Sequence, residues 1–143
     1  MSKGNVFEGD IIALIFNATP IANLADNAGT SPLTDLRVGL STADVGEAGD
    51  QTTNEATYTG YNRKLQARTS GGWTCTGNAA ENATAIVFDQ CTAGSNTISH
   101  FHIGSATSGA GKVFYKGALG ASLAVSAGIT PEFAAGALDV TED

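Results

Sequence analysis

Two histidines stand two positions apart in Ser99-His100-Phe101-His102-Ile103. On a strand, His100 and His102 would point to one face while Phe101 and Ile103 point to the other. Paired imidazoles at that spacing could hold a metal, but a zinc site takes three or four ligands, and nothing adjacent supplies the rest. A polar pair on a solvated sheet face explains them equally well. The run Gly104-Ser-Ala-Thr-Ser-Gly-Ala-Gly-Lys112 has some features of a phosphate loop. That motif requires Gly, four residues, then Gly-Lys-Ser/Thr. Here Ala106 stands where the first glycine belongs, and Val113 stands where the magnesium-binding hydroxyl belongs. The run reads instead as a hairpin loop. Asp44, Glu47, Asp50 and Glu55 could offer carboxylates to calcium, but they lack the D-x-D-x-D-G spacing. Ser, His and Asp all occur, without a Gly-x-Ser-x-Gly elbow to raise a nucleophile. These patterns assign no catalytic, cofactor-binding or metal-ligating residue, and the expectation is a chain that is not an enzyme and needs no cofactor. Cys75 and Cys91 read as reduced, partly buried thiols.

The elements that would position these residues fall into two kinds. Asn5 followed by Glu8 has the form of a capping box, with Asn in the place usual for Ser or Thr. The pattern predicts a helix over 6–17, ending before Pro20. Phe7, Ile11, Leu14 and Ile15 form one stripe on it, while Ile12 and Phe16 fall on another side. A helix apolar around most of its circumference is either wedged in a crevice of its own domain or left with a face that docks on a neighbouring chain, and on the second reading these six residues are candidates for contact with a partner subunit. From residue 33 onward the period is two, as in Leu36-Val38-Leu40 against Arg37-Gly39-Ser41. Further strands are expected over 61–68, 72–76, 83–88, 97–103, 112–116, 120–126 and 136–141, separated by Gly and Asn punctuation. About eight short strands predict an all-β, jelly-roll-like antiparallel β-sandwich with a short N-terminal helix. The expected organisation is one domain over 1–143, with a helical arm over 1–20 and the sandwich over 33–143.

The stretch 41–59 has no periodicity and reads as a long surface loop, of the kind that is usually functional or packed on a partner. Arg63, Lys64 and Arg68 form the one basic concentration in the chain, a candidate contact to an acidic partner or a neighbouring copy. Asn17-Ala18-Thr19 and Asn82-Ala83-Thr84 match the glycosylation sequon, which carries little weight without secretion.

Composition narrows the partners. The chain has 143 residues, only 15% of them charged, and a formal net charge of −7. Nucleic-acid binding requires Lys and Arg to displace counterions from phosphates, and seven basic residues against fourteen acidic ones argue against it. No apolar run approaches the ~20 residues needed to span a bilayer. The start has no leader pattern, so the expectation is synthesis in a bacterial cytoplasm with no membrane partner.

Several segments resemble, in order, a family of small structural proteins of tailed bacteriophages. They are Leu36–Gln51, Tyr58–Arg63, Gly72-Trp73-Thr74, His102–Lys112 and Leu123–Phe133. Some relatives are labelled tail-fibre proteins, and others resemble capsid cement (decoration) proteins. The resemblance implies a jelly-roll-like domain, oligomeric in the virion as a dimer or trimer, with no catalytic residues to carry over. The leading expectation is a cement protein on the capsid exterior that bridges copies of the major capsid protein. Its alternative is a tail-fibre or tail-tip module that binds a host surface.

Overall fold

The computed structural model describes residues 5–21, 25 and 32–142. The elements run in the order α1 (Asn5–Asn17), β1 (Asp35–Ser41), β2 (Lys64–Ala67), β3 (Trp73–Thr76), β4 (Ala79–Asn82), β5 (Ile86–Val87), β6 (Ser95–Gly104), β7 (Val113–Ser126), β8 (Glu132–Phe133) and β9 (Asp139–Thr141). The strands form sheets of order β2-β1-β6-β7, β3-β4-β9 and β5-β8. The fold class is the one expected, all-β and antiparallel with a single short helix, in open sheets and not a closed barrel. The chain divides into two compact units, one from residues 1–35, 66–86 and 133–143, the other from 36–65 and 87–132.

In the first unit the helix begins one residue earlier than predicted and ends at Asn17. Its buried face is not the Phe7-Ile11-Leu14-Ile15 stripe. Glu8, Ile12 and Phe16 point inward, spaced four apart, and Phe16 meets Trp73 of β3 edge-on with ring centroids 4.6 Å apart. Two bulky side chains filling one depression decide the helix's rotation, whereas the longer stripe offers more apolar positions but no single deep anchor. Ile12 and Phe16 are therefore core residues of this unit. Phe7 remains exposed, and Ile11, Leu14 and Ile15 are half-covered.

Arg68 ends the helix. Its Nε donates to the Ile15 carbonyl, and its two terminal nitrogens donate to the carbonyls of Leu14 and Leu33, each at 2.6 Å. The last carbonyls of a helix lack partners within it and carry the negative end of its dipole, so a guanidinium satisfies both needs. Arg68 thus spends its guanidinium bonds on carbonyls of its own chain. Beneath it, β3 and β4 form a hairpin closed by Thr76 opposite Ala79. The turn is Gly77-Asn78, with Gly77 at φ +59°. A positive φ at the first central position alone is the II′ geometry, which glycine takes without strain.

β4 was not expected. Ala79-Ala80-Glu81-Asn82 has little strand propensity, but it pairs on both sides, with β3 and with β9. Asn82 holds the next segment in place. Its side-chain nitrogen donates to the Thr84 and Ala134 carbonyls, and its oxygen accepts from the Leu138 amide. Fully buried and so bonded, the Asn82 amide is closed to the modification its sequon suggests.

In the second unit β1 pairs with β6 in the register Arg37↔Gly104, Gly39↔His102 and Ser41↔His100. Leu36, Val38, Leu40, Ile98, Phe101 and Ile103 form the apolar core of this sheet. The two strands expected over 112–116 and 120–126 are one, β7. Its register jumps between His100↔Ala118 and Ile98↔Leu123, leaving residues 119–122 opposite Ser99 alone. That bulge is the interruption that the Leu119-Gly120 region suggests in the sequence. Segment 105–112 is the hairpin connection, closed by the Ser105 amide on the Lys112 carbonyl at 3.0 Å.

These assignments separate two cations that look alike in the sequence. Replacing Arg68 with Ala should cost about 2–3 kcal/mol in urea unfolding, because charge-assisted bonds to helix carbonyls are lost. Replacing Lys64 with Ala should cost under about 1 kcal/mol, since its bridge to Asp89 is partly exposed.

Candidate functional site

The long segment 42–63 folds back over the second face of the β1–β6 pair. The Ala56 amide donates to the Leu40 carbonyl at 2.9 Å, the Thr42 amide to Asn54 at 2.8 Å, and the Gln51 amide to Gly111 at 3.0 Å. Val45, Gln51, Ala56 and Tyr58 are buried. The segment is thus packed on its own chain. Its covering role also overturns the expectation of a solvated His100–His102 face, because His102 is fully buried.

His102 lies over Gly39, its direct cross-strand partner. A Cβ added to Gly39 would sit 2.2 Å from Nε2 of His102, so this glycine is required by contact and not by its backbone angle. Nδ1 lies 2.9 Å from Ser41 Oγ. Burial holds the imidazole neutral, lowering its pKa from the usual 6.5 to about 4, while the Glu55 charge opposes and the Arg63 charge adds to that shift. His100 pairs with Ser99, whose hydroxyl donates to the Thr42 carbonyl. The two imidazoles therefore sit in different environments. Among the described residues no three His, Cys, Asp or Glu side chains come together. Cys75 and Cys91 are both free thiols.

The four acids grouped in the sequence are divided among separate partners. Lys116 bridges Asp44 at 2.9 Å and Glu47 at 3.1 Å. Asp50 accepts from the Thr52 amide and hydroxyl, which holds its carboxyl below the usual range. Glu55 turns inward to Arg63, at 2.6 Å from Nε and 2.7 Å from Nη2. Arg63 also donates to the carbonyls of Ala106 and Gly109. Its side chain is 2% exposed, so its charge is met within the chain. Lys64 stands at the surface, paired with Asp89 at 2.8 Å.

The Arg63–Glu55 ion pair is the centre of a constellation that gathers functional groups from several segments. Tyr61 donates to Glu55 at 3.0 Å and accepts from the Leu40 amide. Its ring stacks on Phe88 and meets Tyr58 edge-on. Burial and the Glu55 charge push the Tyr61 hydroxyl well above its ordinary pKa, so it stays a hydrogen-bond donor throughout the accessible pH range. Gln51 Oε1 accepts from the Ala106 amide, so both polar backbone groups of Ala106 are held by side chains. Above this floor opens a pocket of about 150 Å³, lined by Glu55, Tyr61, Asn62, Arg63, Thr107, Ser108 and Gly109. Sequence reasoning singled out Arg63 as a surface charge and missed the pocket. The only signal was one acid eight residues before one arginine, a spacing that is too common to select.

Two outcomes follow from the buried histidine. Gly39→Ala should be strongly destabilising, and the loss should shrink when His102 is shortened to Ser, a non-additivity that a double-mutant cycle in urea measures. Stability should also fall with acid. The unfolded chain binds a proton below about pH 6.5 while folded His102 resists one until about pH 4, so the loss grows across that window to about 3 kcal/mol. His102→Gln should flatten the slope of unfolding free energy between pH 6.5 and 4.5.

No curated protein matches the chain. A family model does match, over residues 15–141, described as podophage GP4 fiber I protein gp80. The match spans every strand and the whole Arg63–Glu55 constellation, and with it the chain belongs to the podophage fiber I protein family, a family of phage structural proteins.

Proposed function

We propose that this chain is a non-catalytic building block of a fibre on a tailed-phage virion, working by contact with other subunits and with the host surface. The observation that carries this reading is the family match across nearly the whole chain. The site chemistry supports it. The buried imidazole, the saturated ion pair and the dispersed acids are each used to hold the fold, and none is arranged as an activated nucleophile or base. The sequence made capsid cement the first expectation, with the fibre as alternative. The family description favours the fibre, so binding to the major capsid protein becomes the second reading. In either place the chain would act as one of several symmetric copies, each interface modest and the sum strong.

Copy number and position separate the two placements. Quantitative mass spectrometry of purified virions should find the chain at a few to tens of copies, and antibody labelling in electron micrographs should fall on the tail or its fibres. Hundreds of copies with label spread over the head would favour cement, and absence from purified virions would overturn both.

A further inference from the structure

We propose that the pocket over the Arg63–Glu55 pair receives one ring of a neutral, polyhydroxylated sugar chain. The biological meaning of such binding rests on the fibre reading above, but the chemistry stands on the pocket itself.

Charge selects for neutrality. Arg63 and Glu55 compensate each other at 2.6 Å in the pocket floor, so an ion there meets attraction and repulsion at similar distances and gains little. The chain's net charge of −7 weighs further against an anion. The hydrogen-bonding groups fit a polyol. Thr107 and Ser108 bring hydroxyls, and Asn62, whose amide nitrogen already donates to the Gly60 carbonyl and to Asp89, brings a carbonyl oxygen that accepts. A sugar hydroxyl both donates and accepts. Tyr61, fixed by its contacts with Phe88 and Tyr58, is the aromatic residue of the lining.

The rim is also pre-ordered. Arg63 holds the carbonyls of Ala106 and Gly109 on either side of Thr107 and Ser108, and Gln51 holds the Ala106 amide. A loop pinned at both ends loses little freedom when it binds. At about 150 Å³ the pocket is smaller than the ~300–1,000 Å³ of sites that enclose a drug-sized ligand. It therefore holds one ring, with the rest of the chain lying over the surface. Affinity per site should be weak, on the order of millimolar, and repeated copies would multiply it.

The test uses amide-resolved NMR of the whole chain, titrated to tens of millimolar with glucose, galactose and N-acetylglucosamine, and in parallel with glucuronate and glucosamine. At least one neutral sugar should shift the amides of Asn62 and Thr107 to Gly109 saturably. The double variant T107A/S108A, altered only on an exposed loop, should keep the remaining spectrum and bind roughly ten-fold more weakly. Silence of these amides toward all neutral sugars would overturn the proposal. So would binding unchanged in T107A/S108A, or a charged sugar bound more tightly than every neutral one. A chain found in virion fibres that binds no sugar would overturn this inference alone. A sugar-binding chain absent from virions would overturn the fibre reading alone.

Discussion

A guanidinium cannot shed its proton in a protein, so one that is enclosed must have its donors met. Arg63 is that case, and the organisation of the second unit follows from it. Glu55 takes two of its bonds, and the carbonyls of Ala106 and Gly109 take two more. Meeting those demands ties segment 42–63 to the β6–β7 connection, and the tie covers the polar face of the β1–β6 pair. Gly39, Ser41 and His102 become interior residues as a result. Removing one partner of a buried pair typically costs about 3–5 kcal/mol, although replacing both by apolar groups can be nearly neutral. The pair therefore fixes which loop conformation forms more than it adds to stability.

The sequence made the local periodicities legible. Residues Leu36–Ser41, the strand around Phe101, the hairpin loop over 104–111 and the helix ahead of Pro20 all lie where alternation, glycine punctuation and capping put them. The misses share a cause. β4 exists because two neighbours supply its hydrogen bonds, and Ala-Ala-Glu-Asn carries no local sign of that. The helix's inward face was misjudged because the depression beside Trp73 selects Ile12 and Phe16, and a tertiary depression leaves no periodic mark. The solvated-face reading of His102 failed because its cover comes from a segment some fifty residues earlier with no pattern of its own. The pocket was illegible for the same reason, being assembled from residues near 55, 62 and 108.

Four cations among the described residues work inward or laterally. Arg68 closes the helix, Arg63 closes a loop, Lys64 meets Asp89 and Lys116 bridges two acids. The chain as a whole is acidic, with a net charge of −7. Such a balance resists adhesion to nucleic acid and leaves recognition to shape and hydrogen bonding.

The two units are threaded through one another in chain order. The first needs residues before 36, then 66–86, then those after 132, while the second is complete by residue 132. During synthesis the second unit has all its strands while the first still lacks β9 and its pairing with β4. Helix α1 is made before Trp73, so Phe16 must wait uncovered until that residue emerges. The order of synthesis thus completes the second unit before the first, and the aggregation hazard lies with the apolar side chains that wait longest for their partners.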